Sequence, residues 1–169
     1  MKRLLRALAV VSAVTGLLIG GAVPVAAHEG HEGEVHIHAG VDIKPGSETN
    51  PINLGSRGKV AVVLFGGAAE LVEGSGVESP FVLDVTQVDT ATVELHPMGE
   101  GGHERAISPV RFAFEDVNRD GVTDLVFHFL IADIAVNFTV DDMEACLHGN
   151  LLVAAGGTHF CGSDAVRLF

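Results

Sequence analysis

The 169-residue chain contains no tryptophan and no tyrosine, and its only aromatic residues of the Phe/Tyr/Trp class are nine phenylalanines. Because a phenylalanine ring needs no hydrogen-bond partner when it is buried, this composition suits an all-apolar core. Basic residues are also scarce, at 10 against 22 acidic residues. The net charge of −12 should repel nucleic acid and anionic lipid, and it favours divalent cations.

The N-terminal residues have the pattern of an export signal. Basic residues at positions 2, 3 and 6 precede an uncharged apolar run at 7–23, and small residues at 25–27 permit cleavage after Ala27. The run could marginally span a bilayer as an uncleaved anchor, but its glycines and its cleavage-like end favour a signal peptide at 1–27. No cysteine follows for lipid attachment, and no later stretch is apolar enough to cross a membrane. We therefore predict a secreted or periplasmic bacterial protein, whose mature part carries a net charge of −15 once the three basic residues are removed.

Only two cysteines are present, Cys146 and Cys161. In an oxidising compartment we expect them to form a disulfide, which would stabilise the fold by about 3 kcal/mol. The alternative is two buried free thiols. Neither cysteine lies in a CxxC motif, so the predicted role is structural.

The segment 116–124, with the sequence DVNRDGVTD, places oxygen-bearing side chains at relative positions 1, 3, 5 and 9 and a glycine at position 6. A hard cation such as Ca²⁺ takes six to eight oxygen ligands, and a short acidic loop that bends at glycine can supply most of them. The predicted calcium ligands are the side chains of Asp116, Asn118, Asp120 and Asp124 and the backbone carbonyl of Val122.

This loop is not an EF-hand. Position 12, where an EF-hand carries a bidentate glutamate, is Phe127, and the flanks alternate with period two rather than with a helical period. We therefore predict a calcium loop between two strands of a β-hairpin. The alternative is an Asx-rich turn without a metal, since Asp, Asn and Gly favour turns by themselves.

Residues 28–40 are rich in histidine and glutamate and are predicted to be a flexible N-terminal segment. Imidazole suits Zn²⁺, Cu²⁺ and Ni²⁺, so His28, His31, His36 and His38 could bind zinc or copper weakly. The alternative is a solvated tail without a metal role. A sharper hypothesis pairs an N-terminal His28 with a second histidine to hold copper, and the available partners are His96, His103 and His128.

Residues 41–169 contain many short apolar stretches separated by turn residues, without a long helical period. This pattern predicts an all-β fold, an antiparallel β-sandwich with the calcium-loop hairpin and one disulfide. The glycine-rich stretches 66–80 and 96–108 are predicted to be loops, the second with little preference for one shape. Residues 131–142 are ambiguous, and alternation of Ile134, Val136 and Phe138 favours a strand there.

Four motifs follow one another along the chain: VDIKPGSETNPINLGSRGKVAVVLF, VDTATVEL, FEDVNRDGVTDLVFHF and CLHGN…FCGSDAVRL. They resemble a family of secreted bacterial β-domains with a DIKPGS–N–INL–S–G start and an EDVN-DG–DLV–HF centre. The resemblance covers about residues 41–169 and implies an extracellular β-sandwich module, often attached to larger exported proteins, with no established catalytic activity. It carries over only the loop residues Asp116, Asn118, Asp120 and Asp124.

The first functional hypothesis is a secreted calcium-binding β-sandwich module with a structural role or an unknown protein or glycan partner. The alternative is an exported copper- or zinc-binding protein that uses the N-terminal histidines. An enzyme is disfavoured because no serine lies in a GxSxG motif and the densest acidic cluster is explained by the metal loop. We predict no catalytic residues, no nucleic-acid partner, and no membrane partner after signal cleavage.

Overall fold

The computed structural model describes residues 35–74 and 76–169. The predicted signal peptide, His28 and His31 lie outside these residues. In the described part, the fold is all-β, as the sequence predicted, and its strands form one six-stranded, one four-stranded and one two-stranded sheet. None of its helices is long and apolar enough to cross a membrane.

The six-stranded sheet has the order β6-β5-β1-β11-β10-β7. Its strands are β1 (His36–His38), β5 (Gly67–Val72), β6 (Glu78–Leu83), β7 (Val88–Pro97), β10 (Glu144–Leu151) and β11 (His159–Ala165). The four-stranded sheet has the order β2-β4-β9-β8, with β2 (Val41–Ile43), β4 (Lys59–Leu64), β8 (Arg111–Glu115) and β9 (Asp124–Leu130). Two short strands, β3 (Pro51–Ile52) and β12 (Arg167–Leu168), form the third sheet.

A single hydrophobic core lies between the two large sheets. Ile37, Leu147 and Phe160 from the six-stranded sheet share one cluster with Val62 and Phe127 from the four-stranded sheet, and all five are buried. Since each strand alternates its side chains between two faces, one face of each sheet supplies this core. The sheets therefore pack face to face in the manner of a β-sandwich.

The sandwich is not purely antiparallel. β1 pairs with β11 in parallel and β3 pairs with β12 in parallel, while the other strand pairs are antiparallel. Both parallel pairs join a strand near the start of the described chain to one near its end. Pairing over such a separation depends on the tertiary fold, and local alternation carries no information about it.

Residues 131–142 do not form the predicted strand. They begin with a helix, α1 (Ile131–Asn137), whose buried residues Ile131 and Ile134 are followed by buried Phe138. Val136, which an alternating strand would place with Ile134 and Phe138, is 82% exposed. The spacings of 3 and then 4 residues between the buried positions follow the helical period. Because a spacing of 4 residues also fits a strand, so short a segment does not separate the two patterns.

The predicted loop at 66–80 contains β5 and the start of β6. These strands form an antiparallel hairpin at one edge of the six-stranded sheet. The turn is closed by Glu73 N–H donating to the Val77 carbonyl at 2.9 Å. Most of the β5 and β6 side chains are at least partly exposed, so this edge lacks the apolar run that identifies a buried strand.

The predicted disulfide between Cys146 and Cys161 is wrong, because both cysteines are buried and free. On the neighbouring strands β10 and β11, Cys146 lies opposite Ser163 and Cys161 lies opposite His148. The two cysteines are therefore diagonal neighbours on one face. Diagonal positions in an antiparallel pair are roughly 7–8 Å apart, whereas the Cα atoms of a disulfide are usually about 4.4–6.8 Å apart.

Candidate metal-binding face

The six-stranded sheet has two chemically different faces. Ile37, Phe160, Leu147 and Leu95 alternate onto the core face. Residues directly opposite each other on paired strands share a face, and the register places the intervening histidines and both cysteines on the other side of the sheet. We call that side the histidine face, and the histidines and cysteines on its strands are His36, His38, His96, Cys146, His148, His159 and Cys161.

His96, His103 and His148 come together at one end of the histidine face. Their ligating nitrogens all lie within 4.8 Å of one another. The ring centroids of His96 and His103 are 4.1 Å apart, and those of His148 lie 5.0 Å and 5.1 Å from the other two. We call this group the histidine triad. His96 is buried, His148 is half-buried and His103 is exposed, so the group opens to solvent on one side.

Two triad members come from adjacent strands. His96 lies near the end of β7, directly opposite Cys146, and His148 lies two residues further along β10. The Nδ1 of His96 is 2.9 Å from the carbonyl oxygen of Pro97. Because a carbonyl can only accept, this contact places a proton on Nδ1, and in the neutral imidazole the lone pair is then on Nε2. A histidine held in this way by a backbone carbonyl has the tautomer that metal ligands use.

The loop at 98–106 carries His103 over the other two rings. Gly99 and Gly101 adopt positive φ values of 109° and 71°, which glycine reaches without the cost that a side chain would impose. A Cβ on Gly102 would lie 2.1 Å from the Pro97 carbonyl oxygen and 3.1 Å from His96 Nδ1. Glycine at 102 therefore permits the loop to close against the His96–Pro97 corner.

An ion pair fixes the far end of this loop. Arg105 donates to both carboxylate oxygens of Asp142, at 2.9 Å and 3.2 Å, and to the carbonyl of Asn137 at 3.2 Å. Burial disfavours the charged form of Asp142, but hydrogen bonds from Arg105 and Thr139 outweigh it and lower the pKa of that carboxyl. The stretch 96–108, which the sequence predicts to have little preference for one shape, is thus held in one conformation. Its glycines allow the close turn at one end, and the ion pair between Arg105 and Asp142 fixes the other end.

Carboxylates lie at the outer edges of the histidine face. The Oε2 of Glu94 is 3.6 Å from the Nε2 of His148. At the other edge, Glu70 and Glu78 form a close group with His38, with ligating atoms within 4.8 Å of one another. These charges favour the approach of a cation to either end of the face.

A second group lies on the strands β1 and β11. The ligating atoms of His36, His38 and Cys161 are all within 4.8 Å of one another, and the two imidazole Nε2 atoms are 3.0 Å apart. Burial and the neighbouring His36 lower the pKa of His38. Burial raises the pKa of Cys161 to about 11 and that of Cys146 to about 12.

The predicted calcium loop connects β8 and β9, and its oxygens are held by its own backbone. Asp116 accepts the N–H groups of Asp120 and Gly121, both at 3.1 Å, and Asp120 accepts that of Val122 at 2.7 Å. Asn118 accepts the same Asp120 N–H at 3.0 Å. Glycine at 121 is required by its φ of 86°.

Asp124 differs from the other predicted calcium ligands. It is completely buried, and its two carboxylate oxygens accept the N–H groups of Gly66, at 3.0 Å, and Val117, at 2.9 Å. This carboxylate therefore ties the loop to the connection between β4 and β5. The loop carboxylates are not among the close groups of His, Cys, Asp and Glu found in the described residues.

Of the histidines predicted to bind zinc or copper, His36 and His38 lie in β1, a strand paired on both sides. His128, one of the suggested copper partners, lies on β9 in the other sheet. His96 and His103 are predicted from the sequence only as copper partners of His28, and no prediction from the sequence includes His148 or His159. A pattern in the sequence identifies His148 and His159, since His36-x-His38, Cys146-x-His148 and His159-x-Cys161 each have the two-residue spacing of a strand face. No such pattern includes His96 or His103.

Comparison with known proteins finds no relative of this chain: no protein-family model, no curated protein and no solved structure matches it. The motif resemblance to secreted bacterial β-domains stays a prediction.

Proposed function

We propose that this protein is a transition-metal-binding β-sandwich that holds a divalent ion at the histidine triad. The observation that carries the proposal is the convergence of His96, His103 and His148, with ligating nitrogens within 4.8 Å of one another. Imidazole is a ligand for zinc, copper and nickel, and hard cations such as calcium prefer oxygen. Export from the cell, inferred from residues 1–27, is part of the same proposal.

The geometry of the triad needs only a small adjustment to bind an ion. Metal–nitrogen bonds of about 2.0–2.1 Å place two nitrogens of a tetrahedral ion about 3.3 Å apart. His103 is exposed and lies on a loop, so rotation of its side chain can bring its nitrogen closer to the other two. Three protein ligands leave a fourth position open to water or to the Glu94 carboxylate, which lies 3.6 Å from His148.

The choice among metals follows from ligand type. For a site of nitrogen ligands, affinity rises along the first row to Cu²⁺ and falls again at Zn²⁺. We therefore propose copper or zinc as the bound ion, with copper the tighter of the two. The acidic surface of the chain raises the local concentration of either cation.

The test is calorimetric titration of the purified, metal-stripped protein with Zn²⁺ and with Cu²⁺. His103→Ala removes an exposed ligand and should weaken binding at least tenfold, whereas His128→Ala, on the opposite sheet, should leave it unchanged. A double variant, His28→Ala with His31→Ala, tests the alternative that the N-terminal histidines hold the ion. The proposal fails if the His103 variant binds like the unmodified protein, and a loss confined to the double variant would assign the site to the N terminus.

A second candidate function is calcium binding at the loop 116–124. It is supported by the way backbone N–H groups orient the carboxylates of Asp116 and Asp120 and by the anchoring of Asp124. In this hypothesis the ion has a structural role in a module that presents its loops to a protein or glycan partner. Calcium would be bound by oxygens of Asp116, Asn118 and Asp120 and by the Val122 carbonyl, with Asp124 as a further ligand, directly or through water.

A further inference from the structure

The second group on the histidine face differs from the triad in both chemistry and position. It contains two imidazoles and a thiol, His36, His38 and Cys161, whereas the triad contains imidazoles only. The two groups share no residue. Thiolate is a soft ligand and favours Cu(I) and zinc.

Strand pairing places these three side chains together. In the parallel pair β1–β11, His38 lies directly opposite Cys161, and His36 lies two residues away on the same face. Neighbouring strands are about 4.7–4.9 Å apart, which brings directly opposed side chains within reach of a shared ion. The three positions are therefore set by a β-ladder, and ladder positions are less mobile than loop positions.

The distance between the two imidazoles fits a shared ion. Their Nε2 atoms are 3.0 Å apart, within a few tenths of an ångström of the roughly 3.3 Å expected for two nitrogens on one tetrahedral metal. Cys161 and His36 are buried, at 4% and 8% exposure, and His38 is half-buried, so His38 lies on the open side of the group. Glu70 and Glu78, close to His38, mark the side from which a cation would enter and offer a fourth ligand.

We propose that His36, His38 and Cys161 form a second metal site, which binds zinc or cuprous ion through two imidazoles and a thiolate. This site goes beyond the proposed function of the triad and does not depend on it. The two sites are neighbours, because Cys161 on β11 is directly opposite His38 of β1 and also directly opposite His148 of β10, the strand on the other edge of β11. Binding releases the thiol proton to solvent, and no oxidation or reduction is involved.

Cobalt(II) is the probe that separates the two sites. A thiolate ligand gives cobalt an intense near-ultraviolet charge-transfer absorption, and an all-nitrogen triad does not. The protein, reduced and stripped of metal, should develop this absorption on titration with Co²⁺. Cys161→Ser should abolish it, and Cys146→Ser is the matched control, since Cys146 is a second buried thiol on the same face outside the group.

Two further variants complete the test. His38→Gln keeps the thiol and should weaken the cobalt complex at least tenfold, which covers the case in which Cys161→Ser does not fold. His103→Ala, which removes the triad, should leave the charge-transfer band intact. The proposal is overturned if the unmodified protein shows no such band, if the His38 variant titrates unchanged, or if Cys146→Ser loses the band as Cys161→Ser does. The proposal of a metal site at the triad fails on a different result, namely a His103→Ala variant that binds Zn²⁺ as tightly as the unmodified protein.

Discussion

The ion pair between Arg105 and Asp142 should control metal binding at the triad without contacting the metal. Arg105 lies two residues after His103 and makes three hydrogen bonds, two to the Asp142 carboxylate and one to the Asn137 carbonyl. Arg105→Ala removes all three and releases the 3₁₀ turn that carries His103. The perturbation is thus aimed at the position of one ligand.

The expected loss in the free energy of unfolding follows from the burial of the two side chains. Side-chain exposure is 32% for Arg105 and 11% for Asp142, which places the pair between exposed ion pairs, at about 0.2–1 kcal/mol, and hydrogen bonds to buried charged groups, at about 1.5–3 kcal/mol. We expect Arg105→Ala to lower the free energy of unfolding by about 1–2 kcal/mol. Ordering one released residue on metal binding costs about 1–2 kcal/mol, so the Kd for zinc should rise roughly five- to thirtyfold.

The assay combines urea unfolding of the metal-free protein with calorimetric titration by Zn²⁺. Arg111→Ala is the matched control, because Arg111 lies on the edge strand β8 of the other sheet. The cobalt charge-transfer band of the His36–His38–Cys161 group should be unaffected in both variants. A destabilised Arg105 variant that binds zinc with an unchanged Kd would refute the reasoning, since it would mean that His103 needs no positioning by this ion pair.

Two further predictions concern the loop 116–124 and Asp142. Asp120→Ala should lower the melting temperature in the presence of calcium but leave the protein as stable as the unmodified chain in EDTA. If both proteins melt alike in calcium, the loop is only a turn. Asp142→Asn should destabilise the protein near neutral pH. The pKa of Asp142 is lowered in the folded state from its ordinary value of 3.8. The difference in stability between the variant and the unmodified protein should therefore be lost as the pH falls below 3.8 and through the folded pKa. Asp141→Asn, which removes the same charge at an exposed neighbouring position, is the matched control in urea unfolding.

Much of the β architecture could be predicted from the sequence. The continuous apolar run of β4 is typical of a buried strand. The alternation of Phe127 and Phe129 around His128 identifies a second strand, because side chains alternate with period two, and both phenylalanines are fully buried. Prediction of the secondary structure failed at α1, where the buried positions fit both the helical period and the strand period. It also failed at the edge hairpin β5–β6, whose partly exposed strands lack an apolar run. It failed at the cysteines because a disulfide depends on register, and a two-residue offset separates the thiols.

The sequence by itself determined which side chains share a strand face. His36 with His38, Cys146 with His148 and His159 with Cys161 are spaced by two, and such pairs point to one side of any strand that contains them. Only the tertiary structure decided which of these pairs meet. β1 and β11 come from opposite ends of the described chain and pair in parallel, and the loop at 98–106 adds His103 from outside the sheet. The physical reason is that side-chain direction is a local property of the backbone, whereas the ligand set of a metal site is fixed by strand register and loop closure between distant segments.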